Sequence, residues 1–359
     1  MTKAEAIQLQ MTCTESGPYV QEARSFLEAS EQLGDTHSEA YGFKCQLALS
    51  FLHLWDQLEA SHEDPCPPFR EALVRYADAM RACTRVMSGT DLTVGSLDDE
   101  TDAATLTAEH YGGLFSELSD YHYFEEPVIL LRQRLERNGF PLGSSDGLAL
   151  DAGCGNGRYA VAMRALGFPL VLGVDFSPLN IETARRRCHE AGLTGLEYRL
   201  GDVLDLPAED ASCTFVFSNG VLHHTGNVAK GLCEIFRVLK PGGIAYLKLI
   251  PHPGGIHWDT VELLRHLMRD VPCGFARRFF ALAGVPANRR YYLLDHILVP
   301  INERLTAQEC ETLITRAGFR GIRRCVRGTD EDRLEQLYQG RPFYREKYGD
   351  GVNLYCLMK

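Results

Sequence analysis

The sequence predicts an α/β protein built on a doubly wound parallel sheet, and two observations carry this. Between about Gly147 and Ile250, short apolar runs alternate with stretches of helical periodicity, the pattern of a parallel sheet with helices on both faces. The first of these runs, Leu148-Ala-Leu-Asp-Ala152, passes into Gly153-Cys-Gly-Asn-Gly157 before a helical pattern begins at Arg158. That is a buried strand feeding a tight turn into a helix. Glycine permits positive φ and leaves no Cβ between main chain and ligand, and the turn falls at the carboxyl end of its strand, where open α/β sheets bind ligands.

The elements follow in order. Residues 3 to 89 read as helices, with apolar residues at helical spacing through Tyr41 to Trp55, a break at Pro65, Pro67 and Pro68, and resumption from Phe69 to Met87. Ser88 to Asp102, rich in Gly, Ser, Thr and Asp, reads as a linker or domain edge. Helices are expected around Ala103 to Leu118 and over Glu126 to Arg137. Val171-Leu-Gly-Val-Asp175 is a second strand ending in an acid, and Ser177-Pro178 opens a helix with a cap residue and a first-turn proline. Leu196 to Asp202 is a third strand ending in Gly-Asp, Thr214 to His224 a fourth strand with its loop, and Leu239-Lys-Pro-Gly-Gly243 a turn into a fifth strand, Ile244 to Ile250. After Ile250 the alternation stops. Pro251 to Leu305 is too long for a simple connection and interleaves Trp258, Phe275, Phe279, Phe280, Tyr291 and Tyr292 with Arg277, Arg278, Arg289 and Arg290. Thr306-Ala-Gln-Glu then opens a helix with an N-cap pattern, and Gly321 to Val326 and Gly351 to Met358 supply the last two strands. The division expected is a helical region over 1–100 and an α/β domain over 101–359, with 251–305 inserted.

Composition narrows the function classes. A chain of 359 residues buries a sizeable core, and 45% hydrophobic with 24% charged residues is ordinary for a globular protein. A net charge of −11 argues against a nucleic-acid partner, which needs a basic footprint. The 12 cysteines are scattered without a C-x-x-C pair, and no metal-ligand spacing is found. With no apolar leader and no run of bilayer length, reduced thiols in a cytoplasm and no membrane association are expected.

The chemistry rests on the glycine turn. A dinucleotide fingerprint is G-x-G-x-x-G/A; with Gly153 and Gly155 in the first slots, Arg158 fills the third, where a large side chain spoils helix–strand packing. Asp151 adds a charge that suits a ligand with a cationic part and opposes a polyphosphate. Asp175, ending the next strand, is placed to accept hydrogen bonds from ribose hydroxyls. The D-x-G-x-G-x-G pattern, with the later pieces in the same order, resembles class I S-adenosylmethionine-dependent methyltransferases over about Gly147 to Ile250.

The resemblance implies a seven-stranded, mostly parallel sheet with an antiparallel last strand, S-adenosyl-L-methionine as cofactor, and methyl transfer by in-line displacement. It places Asp151, Gly153, Gly155 and Gly157 at the donor's methionine part and Asp175 at its ribose. Asp202 with Val203 lies by the adenine, Phe176 is placed to stack on it, and Asn219 ends the fourth strand beside the donor. Tyr111, in His110-Tyr-Gly-Gly-Leu-Phe115, and the nearby Tyr121 and Tyr123 are candidates to close over the donor. A transferable methyl is already activated, so positioning and desolvation are the main demands. A base is needed only for a protonated nucleophile; His223 and His224, in the fourth-strand loop, are the candidates. Cys154 reads as a small side chain fitting a tight turn. The 251–305 insertion is the candidate acceptor lid, and its aromatics and arginines equally suit a homodimer contact. A small-molecule acceptor is expected. The alternatives are a donor-binding subunit without turnover, a nicotinamide oxidoreductase, or a macromolecular acceptor. The accepting atom is not legible, because the fold supplies donor binding and appended parts choose the substrate.

Overall fold

A computed structural model describes residues 17–34, 38–87, 119–140 and 147–359. The expected linker, the helix around 103–118 and Tyr111 lie outside them. The chain divides into two compact units: Met1–Ala103, Pro253–Pro300 and Arg341–Asp350 form the first, and Ala104–His252, Ile301–Gly340 and Gly351–Lys359 the second.

The first unit is helical. It contains α1 (Val20–Leu33), α2 (Ser38–Ala60) and α3 (Cys66–Met87) from the amino-terminal part. The segment after the fifth strand and a later short stretch add α8 (Gly255–Leu267), α9 (Cys273–Leu282), α10 (Ala287–Ile297) and α13 (Tyr344–Tyr348). Pro67 and Pro68 do not break a helix but sit in the first turn of α3, where their missing amides have no intrahelical partner to lose. The core here is aromatic: Tyr19 meets Phe69 and Phe26 meets Phe51 edge-on, at 4.9 and 5.4 Å between ring centres. Tyr19 Oη donates to Asp259 Oδ2 at 2.6 Å, giving a buried carboxylate a partner.

The second unit holds one seven-stranded sheet: β1 (Leu148–Ala152), β2 (Leu170–Asp175), β3 (Leu196–Leu200), β4 (Cys213–Asn219), β5 (Leu239–Leu249), β6 (Gly321–Arg324) and β7 (Asn353–Met358). Their order across the sheet is 3-2-1-4-5-7-6. β1 to β5 pair in parallel, and β7 runs antiparallel to both β5 and β6. This is the mostly parallel seven-stranded sheet with an antiparallel last strand that the resemblance implies. Side chains alternate between the two faces. Ala149, Phe215, Phe217 and Tyr246 face a layer made by α4 (Glu126–Arg137), α5 (Arg158–Ala165) and α6 (Pro178–Glu190). Leu150, Val216, Ala245 and Leu247 face α7 (Val228–Val238) and α11 (Ala307–Arg316). The short α12 (Arg333–Tyr338) completes the unit.

Three local readings are corrected. The strand–helix alternation lapses between β3 and β4, where residues 201–212 cross without a helix; β3 is an edge strand with only its central Tyr198 buried, so there is little surface to cover. β5 begins at Leu239, not Ile244, and the Pro-Gly-Gly turn is a bulge within it, with a shift of register opposite Cys213 and Phe215. Ser177 precedes α6, but its hydroxyl makes no capping bond; its own amide donates to Asp175 Oδ1 at 2.9 Å. The cap of α11 is as expected: Thr306 Oγ1 accepts the Glu309 amide at 3.1 Å and Glu309 Oε2 accepts the Thr306 amide at 2.8 Å.

No helix among the described residues is long and apolar enough to cross a membrane. Replacing Thr306 by Ala leaves the Glu309 amide without its cap and should lower stability by about 1 kcal/mol. Urea denaturation checks this: the midpoint falls with an unchanged slope, and an unchanged midpoint would show the cap to be idle.

Candidate active site

β1 lies between β2 and β4, so chain order reverses at its carboxyl end, where doubly wound sheets open a crevice. The glycine turn occupies this point. Gly153 and Gly157 adopt φ of +83° and +88°, in the left-handed region. A Cβ on Gly153 would stand 2.4 Å from Val221 Cγ1, so the missing side chain is what lets the loop after β4 cross the turn. A Cβ on Gly157 would stand 2.7 Å from the Tyr198 ring and 2.8 Å from Ala184, which is how the turn settles onto β3 and α6.

Hydrogen bonds hold the turn from three sides. The Gly153 and Cys154 amides both donate to Val174 O, at 2.8 and 2.9 Å. Tyr198 Oη donates to Gly157 O at 3.3 Å, and Tyr123 Oη donates to Asn156 O at 2.6 Å. Asp175 does most. Its Oδ2 accepts the Gly155 amide at 2.9 Å, while Oδ1 accepts the Ser177 amide and Asn180 Nδ2. Of the tyrosines upstream of the turn, Tyr123 is fully buried as a positioning residue and Tyr121 is exposed.

Asp151 is buried, and its Oδ2 has no hydrogen-bond partner among the described residues. Burial, and then the charge of Asp175, raise its carboxyl to about 8; a hydrogen bond from the Ala160 amide opposes this. Burial also raises Asp175, against the bonds it accepts from Ser177, Asn180 and Gly155. Both acids are therefore short of positive charge. Burial, with those two carboxylates, holds the Cys154 thiol well above its ordinary value, which disarms it as a nucleophile.

The other predicted residues gather at the same carboxyl edge. Phe176 follows β2 and is 44% exposed, so it is not a core side chain. Asp202 is exposed, and its Oδ1 accepts the Leu204 amide at 2.8 Å; the Val203 side chain is buried in the core. Asn219 ends β4 with Oδ1 buried and without a partner among the described residues. His223 and His224 form a 3-10 turn after β4, with rings 4.1 Å apart. His223 is buried. His224 Nδ1 lies 2.8 Å from Ile301 O. A carbonyl only accepts, so Nδ1 carries the proton in this contact. Among the described residues no group of His, Cys, Asp or Glu is arranged to hold a metal.

A second group was missed by sequence reasoning because it assembles from distant segments. Arg134 of α4 donates to Tyr159 Oη of α5 at 2.8 Å, and Arg158 lies 5.0 Å from the Tyr159 ring centre. Burial alone would raise the Tyr159 phenol, but Arg134 and Arg158 outweigh it and hold it below its ordinary value. Lys248, in register with Asn219, joins this group.

The chain is similar to known proteins in sequence and in fold. Residues 150–247 match the family model described as a methyltransferase domain. The chain is 33% identical over 151 residues to 27-O-demethylrifamycin SV methyltransferase of Amycolatopsis mediterranei, covering 41% of this chain and 54% of that protein. It is 30% identical over 127 residues to malonyl-[acyl-carrier protein] O-methyltransferase of Serratia marcescens, covering 34% and 48%. The chain thus spans about half the length of these curated relatives. A solved methyltransferase from Aquifex aeolicus is similar over 72% of this chain and 98% of its own, at 15% identity and a TM-score of 0.40.

A raised Asp151 carboxyl has a sign that can be checked. The folded state holds this proton from its ordinary 3.8 up to about 8, so the stabilisation is complete below pH 4 and fades as pH rises through 8. Asp151→Asn removes the dependence. Its stability relative to wild type should grow by more than about 1 kcal/mol between pH 5 and pH 8 in parallel denaturation series; curves that stay parallel would place the carboxyl in its ordinary range. The methyltransferase-domain match over residues 150–247 runs from β1 into β5, the strands whose carboxyl ends build this site.

Proposed function

We propose that this protein transfers a methyl group from S-adenosyl-L-methionine to a small-molecule acceptor. The observation that carries the reading is the buried, partnerless Asp151 oxygen beside the glycine turn, with Asp175 next to it. Two carboxyls short of positive charge favour a ligand with cationic groups. They oppose a pyrophosphate, which counts against a nicotinamide dinucleotide. The relatives named above are methyltransferases, one for 27-O-demethylrifamycin SV and one for malonyl-[acyl-carrier protein], which supports methyl transfer without naming the acceptor.

When bound, S-adenosylmethionine supplies an electrophilic methyl on a sulfonium. This chain's residues do the rest. Asp175 offers carboxylate oxygens to ribose hydroxyls, Asp151 faces the cationic methionine part, and the amides of the Gly153–Gly157 turn bring main chain close to it. Asp202, Val203 and the exposed Phe176 serve the adenine side, and Asn219 lines the floor at the end of β4. His224, fixed through Nδ1, and His223 beside it are the groups that could take a proton from a hydroxyl or thiol acceptor. Because the methyl is activated before it binds, holding acceptor and donor in line while excluding water is the main catalytic work.

Calorimetric titration tests the reading. S-adenosylhomocysteine should bind at one site while NADH does not, and Asp175→Ala should weaken binding at least tenfold, in the range of about 1.4 kcal/mol or more. Binding of NADH instead, or of neither, would overturn the donor assignment.

A further inference from the structure

Lys248 stands at the carboxyl end of β5, on the side of the sheet that carries α4 and α5. Tyr246, two residues before it, packs on Phe217 and Phe140 at 4.7 and 5.7 Å between ring centres, and strand alternation puts Lys248 on the same face. Its register partner on β4 is Asn219, and Lys248 O accepts the Gly220 amide at 3.1 Å. The side chain is half-buried, yet its ammonium makes no hydrogen bond or ion pair among the described residues. A lysine held this way has lost part of its hydration without gaining a counter-ion.

Its surroundings share the imbalance. Arg134 and Arg333 act on Lys248 as like charges, opposed by Asp332, which lies 3.9 Å from Arg134. Arg158 stands over Tyr159, with Glu126 3.7 Å away. Lys248, Arg134 and Arg158 thus stand together here, with Asp332 and Glu126 beside them, in a chain whose net charge is −11. The Tyr246 hydroxyl, which can donate to an anionic oxygen, is buried and partnerless at this point among the described residues; Asn219 Oδ1, which only accepts, is partnerless beside it. Burial, then Arg134, pull the Lys248 ammonium below its ordinary value, with Asp332 and Tyr159 pulling back; an anion beside it would reverse that shift.

We propose that Lys248, flanked by Asn219 and Tyr246, is the acceptor-binding cation of this site, and that the acceptor carries an anionic oxygen, as a carboxylate or an ionised phenol does. This rests on the methyl-transfer reading and adds the charge of the substrate. The donor side of the edge is acidic and the Lys248 side basic. The two ligands are therefore sorted by charge: the cationic donor to Asp151 and Asp175, the anionic acceptor to Lys248.

The test uses full-length protein saturated with S-adenosylhomocysteine and titrated with benzoate, 4-nitrophenolate or the neutral benzamide. Benzoate or 4-nitrophenolate should bind at one site at least tenfold tighter than benzamide, and whichever binds tighter identifies the kind of oxygen. Lys248→Met should weaken that binding at least tenfold, and Lys248→Arg should restore it to within about threefold. Both variants should keep the wild-type melting temperature and S-adenosylhomocysteine affinity, which separates loss of a contact from loss of fold. Equal binding of benzamide, or undiminished benzoate and 4-nitrophenolate binding in Lys248→Met, would overturn the proposal. So would wild type that takes up S-adenosylhomocysteine but neither anion, and that result leaves the donor assignment standing. Failure of S-adenosylhomocysteine itself to bind would overturn the donor assignment instead.

Discussion

The site depends on one carboxylate. Asp175 spends its two oxygens on three donors from three places: the Gly155 amide of the glycine turn, the Ser177 amide at the start of α6, and the Asn180 side chain one turn later. Those bonds tie the turn after β1 to the turn after β2, so two separate strand ends become one rigid rim. Charge-assisted bonds of this kind are the stronger ones, and burial raises what is at stake in each. The rim then dictates what lies near it. Asp151, one strand away and fully enclosed, feels Asp175 as a like charge and keeps its proton unless a cation arrives.

The topology adds a second constraint. Because β1 sits between β2 and β4, the helices that follow these strands leave toward opposite faces, and a crevice must open between them. Gly153 brings the β4 loop across the turn, so Asn219, His223 and His224 come to the edge that carries Asp151. The acid rim and the basic group around Lys248 then lie on opposite sides of β4, with β1 and β2 on one side and β5 on the other. On the reading proposed above, a sheet arranged in this way holds a cationic and an anionic ligand from fixed elements, and preorganisation of that sort supplies most of what a methyl transfer asks of a protein.

Much of this was legible because it is local. The apolar run before Gly153, the acid ending β2 and the Thr306 cap are each decided within a few residues, and the structure holds them where the sequence placed them. What could not be read depends on distant partners. Tyr123 could be read as a candidate near the donor, but not as the donor of a hydrogen bond to Asn156 O, which lies 33 residues on. Lys248 reads as an ordinary strand lysine; only the sheet order brings α4, α5 and α12 around it. Pro67 and Pro68 read as breakers because a proline inside a helix and one in its first turn look alike until the boundary is known. The missing helix after β3 has the same origin: whether a crossover needs one depends on how much of the strand is covered, and β3 proved to be an edge.

The most direct measurement is a crystal structure of the protein grown with S-adenosylhomocysteine. Ligand density is expected at the carboxyl end of β1, with ribose oxygens on Asp175 and the amino-acid part beside Asp151 and the Gly153–Gly157 turn. A crevice left empty at saturating ligand, or density lying elsewhere on the chain, would contradict the assignment of this rim as a donor site.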